Sequence, residues 1–212
     1  MTKFFIISFS ALALSSFSQT SFNFSVTGEL KNAPEGSYTY IHHKWDGKDV
    51  TDSAKVKAGK FTFTGKGKEP NMFWMTKSRS MNEQPNLIFF IDGGKTTISA
   101  NLDSLPKAKV TGGQTQKDYA DYNAMMFGFG ARQQALVNAY NEAKNRGDAA
   151  VMNEKVAEYK GMETEVKAAI ENFIKSHSKS AVSGYAIYYN NQNSTAPVEE
   201  LERVVGLLDK SV

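Results

Sequence analysis

The chain contains no cysteine. That single absence excludes a disulfide framework, a zinc–thiolate site, thiol redox chemistry by its own residues and a lipid-modified N-terminal Cys. A strong excess of one charge sign is missing too. Over 212 residues there are 25 Lys and Arg against 22 Asp and Glu, a formal net charge of +3. The lysines are dispersed rather than clustered, which argues against a nucleic-acid binder and against a membrane-surface patch. Long apolar runs are absent after residue 14, so no later segment is apolar enough to span a bilayer.

What is present is enough for a core. Hydrophobic residues make up 41% and aromatics 12%, too much for a wholly disordered chain. The N-terminus has the pattern of a secretory signal. Lys3 is a short basic region, residues 4–14 are an apolar run too short for a membrane span, and Ser16 and Ser18 precede an expected cut ahead of Gln19. The expected signal peptide is therefore 1–18. The mature chain then carries 24 basic and 22 acidic residues, and is expected to be a soluble protein of the periplasm or otherwise exported, with no stable membrane insertion.

Residues 52–65, DSAKVKAGKFTFTG, set the pattern of the first half. Ala54 and Val56 alternate with lysines, and Phe61 and Phe63 with threonines. Period-two alternation places one set of side chains on a buried face and the other in water. Ala58-Gly59-Lys60 reverses the chain. Similar runs occur at 22–30, 38–43, 72–76, 86–91, 96–102 and 109–111. Asp46-Gly47 is a hairpin-type turn because the pair tolerates positive φ. In 86–91 both faces are apolar, so that strand is expected to be covered on both sides. About eight short, closely spaced strands predict a sandwich or barrel-like fold.

Gly112-Gly113 marks a change of period. Tyr119, Tyr122, Met126, Phe129, Gln133, Leu136 and Tyr140 recur at steps of three and four, the stripe of an amphipathic helix with one polar member. Gly147-Asp148 turns the chain, and Met152, Val156, Tyr159, Met162, Val166, Ala169 and Phe173 form a second stripe. Two such helices joined by a short turn should pack antiparallel. A shorter helix is expected over 181–189. Another begins at Pro197, with Glu199 and Glu200 in its first turn and Leu201, Val204, Val205 and Leu208 as its apolar face. The whole reads as α+β: an antiparallel β-sandwich-like N-terminal domain, 19–112, then a helical hairpin and short C-terminal helices, 113–212.

The order of these elements resembles the Bacteroidota domain-of-unknown-function 4369 family. The matching features are Phe24-x-Val26-x-Gly28-x-Leu30, Asp52-Ser53-Ala54 with Val56, and Gly59-Lys60-Phe61-x-Phe63-x-Gly65. Phe89-Phe90-Ile91-x-x-Gly94 and Val110-x-Gly112 continue it. That module commonly precedes a thioredoxin-like domain in exported thiol–disulfide oxidoreductases of the TlpA/ResA type. The resemblance implies a role in positioning or partner recognition. It carries no catalytic pair over, because the family's Cys-x-x-Cys motif has no counterpart here. Three readings of function follow: a non-catalytic accessory or binding module, a truncated oxidoreductase lacking its catalytic domain, or a periplasmic carbohydrate- or peptide-binding protein.

No catalytic, cofactor or metal site is expected, and the chain is not expected to be an enzyme. His42-His43 are neighbours on a strand, so they point to opposite faces and cannot easily share one metal. Ser53 beside Asp52 lacks the strained elbow of a hydrolase nucleophile. Asp52-Ser53-Ala54 and Asp103-Ser104-Leu105 resemble acceptors for O-glycosylation in exported Bacteroidota proteins, which makes Ser53 and Ser104 candidates; ordinary turn chemistry is the simpler reading of the first. Trp45, Phe73 and Trp74 are the candidate ligand patch, on condition that they share one exposed surface. The partner is expected to be an unidentified protein or small molecule.

Overall fold

The computed structural model describes residues 21–192 and 195–212. The expected signal peptide, 1–18, lies outside the described residues. Eight strands come first: β1 (Phe22–Lys31), β2 (Tyr38–Trp45), β3 (Lys48–Lys55), β4 (Lys60–Gly67), β5 (Asn71–Thr76), β6 (Leu87–Ile91), β7 (Gly94–Asn101) and β8 (Lys109–Thr111). A short 3-10 segment, Leu102–Lys107, joins the last two. Four helices follow: α1 (Gln114–Arg146), α2 (Ala149–Ser176), α3 (Ala181–Asn191) and α4 (Val198–Val205). The strands form two four-stranded sheets, in the orders β4-β1-β7-β8 and β3-β2-β5-β6. Neighbours are antiparallel save for β1 and β7, which run parallel.

Alternation decides which side chains meet between the sheets. Phe24, Val26 and Leu30 of β1, Phe61 and Phe63 of β4, and Ile98 and Ala100 of β7 come from one sheet. Ile41, Ala54, Phe73, Met75, Leu87, Phe89 and Ile91 come from the other, and all are buried. Burial of each large side chain contributes about 1.5–3 kcal/mol. The turns match their sequences: Asp46 and Gly47 have φ 47° and 73°, and Ala58 and Gly59 have φ 48° and 71°. Two successive positive φ values twist a two-residue turn the way a hairpin requires.

Glycines and phenylalanines interlock across β1 and β4. Gly28 lies opposite Phe61, Phe24 opposite Gly65, and Phe22 opposite Gly67. A Cβ on Gly28 would come within 2.6 Å of the Phe61 ring and 2.3 Å of the Ile98 carbonyl oxygen. On Gly65 it would meet the Phe24 ring at 2.4 Å, and on Gly67 the Phe22 ring at 2.3 Å. Each ring fills the space that its partner's missing side chain leaves. This is the packing behind the spacing of phenylalanine and glycine in the sequence.

As expected, β6 is covered on both faces. Phe89 faces the sandwich core, while Phe90 packs with Tyr119, Tyr122, Phe173, Val182 and Ala186 of the helices. The change of period falls at the glycine pair: α1 starts at Gln114, with Gly113 as its cap residue. Two side chains fasten that start to β6. The Asp92 carboxylate accepts from the Thr115 backbone N–H at 2.8 Å, and Gln116 Oε1 accepts from the Phe90 N–H at 2.8 Å. The first bond places an acidic group at a helix N-terminus; the second occupies a donor on β6, an edge strand.

Helix α1 runs unbroken through Gly128 and Gly130. Gly147, at φ 69°, ends it, and the Asp148 carboxylate accepts from the Val151 N–H to begin α2. The two helices pack antiparallel, and the Arg132 guanidinium donates to Glu165 across the pair at 2.6 Å. At the C-terminus Pro197 stands just before α4, and Leu208 lies beyond it. Arg203 on α4 donates two hydrogen bonds to Glu171 on α2, and Asp209 N–H donates to Ser178. These bonds hold the last segment on the helical layer.

Candidate functional site

The histidine pair separates as period two requires. His42 is fully buried on the sheet face away from the sandwich core, stacked on Trp74 at 5.9 Å. Its Nδ1 lies 2.9 Å from Thr51 Oγ1 and its Nε2 2.7 Å from Thr76 Oγ1. Thr76 spends its single hydroxyl proton on the Ser78 carbonyl at 2.6 Å. It therefore accepts from His42 Nε2–H, and in the neutral ring Nδ1 accepts from Thr51. Burial holds the His42 pKa below the ordinary value, against a smaller upward pull from Glu83.

His43 points between the sheets, 4.5 Å from the Phe73 ring. Its Nε2 lies 3.9 Å from an Asp52 carboxylate oxygen, and its buried Nδ1 has no hydrogen bond of good geometry. Burial lowers its pKa, while the Lys44 backbone and the Asp52 carboxylate oppose that shift. Among the described residues no three His, Asp or Glu side chains converge to hold a metal. Ser53 sits exposed on β3 opposite Tyr40, not beside either histidine in the pairing.

The candidate aromatic patch is not one surface. Phe73 is buried in the core at 3% exposure. Trp74, its neighbour, faces the other way and donates from Nε1 to the Met81 carbonyl at 3.2 Å. Trp45 lies at the end of β2, with the Lys68 ammonium 5.7 Å from its ring centroid. Of the two candidate acceptors for sugar, Ser53 is exposed, and Ser104 is half-buried at a kink in the 3-10 segment.

The structure assembles a different surface, along the seam between α1 and α2. Only the first turns of α1 reach the sandwich: Thr115, Gln116, Asp118, Tyr119 and Tyr122 are buried, and beyond them only Ala143 is. The rest of the hairpin, residues 123–170, stands off as an arm. Its apolar stripe is half-open. A groove of about 630 Å³ runs past Met126, Phe129, Gln133, Tyr159, Val166 and Ile170. A second, of about 210 Å³, continues past Leu136, Tyr140 and Val156 and shares Tyr159 with the first. Phe127, elsewhere on the arm, is 80% exposed. The wall carries Lys160, Glu163 and Lys167, so both charge signs flank the apolar floor. The spacing of the stripe was legible in sequence; its incomplete cover was not.

Where the arm meets the sandwich, four tyrosines and two phenylalanines pack together, mostly edge to face. Tyr185 touches Phe90, Tyr119, Tyr122 and Tyr189 with ring centroids 5.6 to 6.0 Å apart. Tyr122 accepts a hydrogen bond from Asn190 at 2.8 Å. Burial first, then the neighbouring tyrosines, raise the Tyr185 pKa far above the ordinary phenol value. The cluster is a neutral joint that fixes the root of the arm.

No curated protein matches the chain. Residues 24–119 match the family model described as a domain of unknown function, DUF4369. The match spans the sheets and ends at Tyr119, inside the turns of α1 that are fastened to β6 by Asp92 and Gln116. The two-sheet domain of this chain, with the root of its first helix, is the part that matches the DUF4369 family.

Proposed function

We propose that the chain is a non-catalytic, exported accessory module whose helical arm recognises a protein partner. The observation that carries this reading is the arm itself: a helical pair that leaves its apolar stripe half-open along a charged groove. Contiguous apolar surface of that kind marks interaction sites on soluble proteins. The rigid sandwich and the tyrosine joint support it by setting the arm's position. The resemblance to front domains of thioredoxin-like oxidoreductases adds a role in positioning, with chemistry done by another polypeptide. Among the described residues no helix is long and apolar enough to cross a membrane.

The test is site-specific photo-crosslinking in the native host from Phe127, which projects from the arm. A discrete protein adduct is the expected result. No adduct from arm positions, with adducts only from the sandwich, would turn the reading over.

A further inference from the structure

We infer that the partner of the arm is a second copy of this chain, and that two hairpins close into an antiparallel four-helix bundle. The inference deepens the arm reading and rests on it.

A helical pair alone has one apolar seam and no second layer to close it. Along the projecting part, from residue 123 to 170, only Ala143 and Met162 are buried. The stripe members Met126, Phe129, Leu136, Tyr140, Tyr159 and Val166 are half-buried, and Val156 is 43% exposed. Four-helix bundles bury such stripes by adding two more helices at nearly antiparallel angles. A copy related by a two-fold axis supplies two helices of matching length and stripe, and the symmetry closes the assembly at two.

Charge favours self-pairing. Residues 126–170 carry six basic and six acidic side chains. The arm has no net charge, so two copies do not repel. The groove wall presents Glu163 between Lys160 and Lys167. An antiparallel copy brings each wall's glutamate toward the other's lysines. A strongly anionic or cationic partner finds no such match here.

Size sets the strength of the contact. The apolar stripe from Met126 to Tyr140 on α1 is about 21 Å long and that from Met152 to Ala169 on α2 about 26 Å, at about 1.5 Å per residue. Two adjacent helices of about 10 Å diameter make a face about 20 Å wide. That footprint, about 500 Å², is smaller than the roughly 800 Å² per partner of a standard interface and is the size of a weak, concentration-dependent dimer. Gly130 adds a local sign. It lines the larger groove, and nothing stands within 4 Å of where its Cβ would be. A glycine weakens a helix interior, and within one chain nothing approaches it; a facing helix would.

Sedimentation velocity on the purified chain at high micromolar concentration is expected to give twice the chain mass. Leu136→Glu and Val156→Glu are expected to give the single-chain mass with unchanged circular dichroism, because both positions lie outside the sandwich core. The chain has no cysteine, so Gln133→Cys, at the middle of the stripe, introduces one thiol near the axis. Its oxidation is expected to link two chains, and Ala150→Cys at the tip is not. A wild-type chain that stays monomeric, or a dimer untouched by both glutamate variants, overturns the inference. A monomer that still crosslinks to another protein from Phe127 would remove the second copy and leave the recognition arm standing.

Discussion

The Asp92 carboxylate sits 2.8 Å from the Thr115 backbone N–H, so the turn after β6 caps the helix that begins 22 residues later, at Gln114. Gly113 makes room for it: a Cβ there would stand 1.9 Å from Asp92 Oδ1. Asp92→Ala is expected to cost about 1 kcal/mol, the usual cost of a lost cap. Gly113→Ala is expected to cost more, because the added methyl displaces the carboxylate and adds a clash. Urea unfolding of both variants orders them; an Asp92→Ala variant as stable as wild type would contradict the capping role.

The interlocked rings and glycines of β1 and β4 give a second ordering. Gly28→Ala meets a backbone oxygen as well as the Phe61 ring, whereas Gly65→Ala meets only the Phe24 ring. Backbone cannot rotate away. Gly28→Ala is therefore expected to lose about 2–3 kcal/mol and Gly65→Ala about 1–2 kcal/mol, within the range for overpacking. Combining Gly65→Ala with Phe24→Leu should cost less than the two losses added, since the smaller side chain clears the methyl. Strict additivity would show that ring and glycine are not coupled.

Both histidines of β2 are held below their ordinary pKa of 6.5 by burial. The unfolded chain then binds protons that the folded chain refuses. Their contribution is fully present above about pH 6.5 and is lost as pH falls below it toward the folded pKa values. Denaturant midpoints at pH 7.5 and 5.5 should show stability falling on acidification. His43→Leu is expected to raise stability by about 1 kcal/mol at neutral pH, because it removes a buried nitrogen without a good hydrogen bond. It should also flatten the pH dependence. A steeper dependence in that variant would reverse the assignment.

The helical layer depends on the sheet. Phe90 of β6 lies within the cluster of Tyr119, Tyr122, Phe173, Val182 and Ala186, with Met72 and Ile88 packed against it. A fragment of residues 113–212 loses all three strand residues. It is expected to show no cooperative melt as a monomer, and a sharp monomeric transition would contradict the dependence.

Much of the fold was legible because it is written in local rhythm. Strands β1, β4 and β7 follow period-two alternation, and the positive φ values at Asp46-Gly47 follow from the residue pair. The double apolar face of residues 86–91 foretold a strand covered by sheet and helix. The parallel partnership of β1 with β7 was not legible, because no local signal links Val26 to Thr96. Nor was the Asp92 cap, which reaches its helix from across 23 residues. The separation of Phe73 from Trp74 was within reach: the alternation that parts His42 from His43 parts them too. The arm's open groove lay beyond sequence, because a stripe states which side chains are apolar and not what covers them.

The place of β7 at the middle of its sheet has a consequence for the order of assembly. Strands β2 and β3 meet through a two-residue turn, so Ile41 and Asp52 find each other early. Strand β1 opens the two-sheet domain, yet its parallel neighbour begins only at Gly94, after about 70 residues have been threaded. Closing so wide a loop is slow compared with closing a hairpin. Pulsed amide labelling during refolding is expected to find protection at Ile41 before Val26, and the reverse order would contradict it. Val26 meets Phe63 of β4 across about 40 residues and Thr96 of β7 across about 70, so both of its ladders close later than the β2–β3 hairpin.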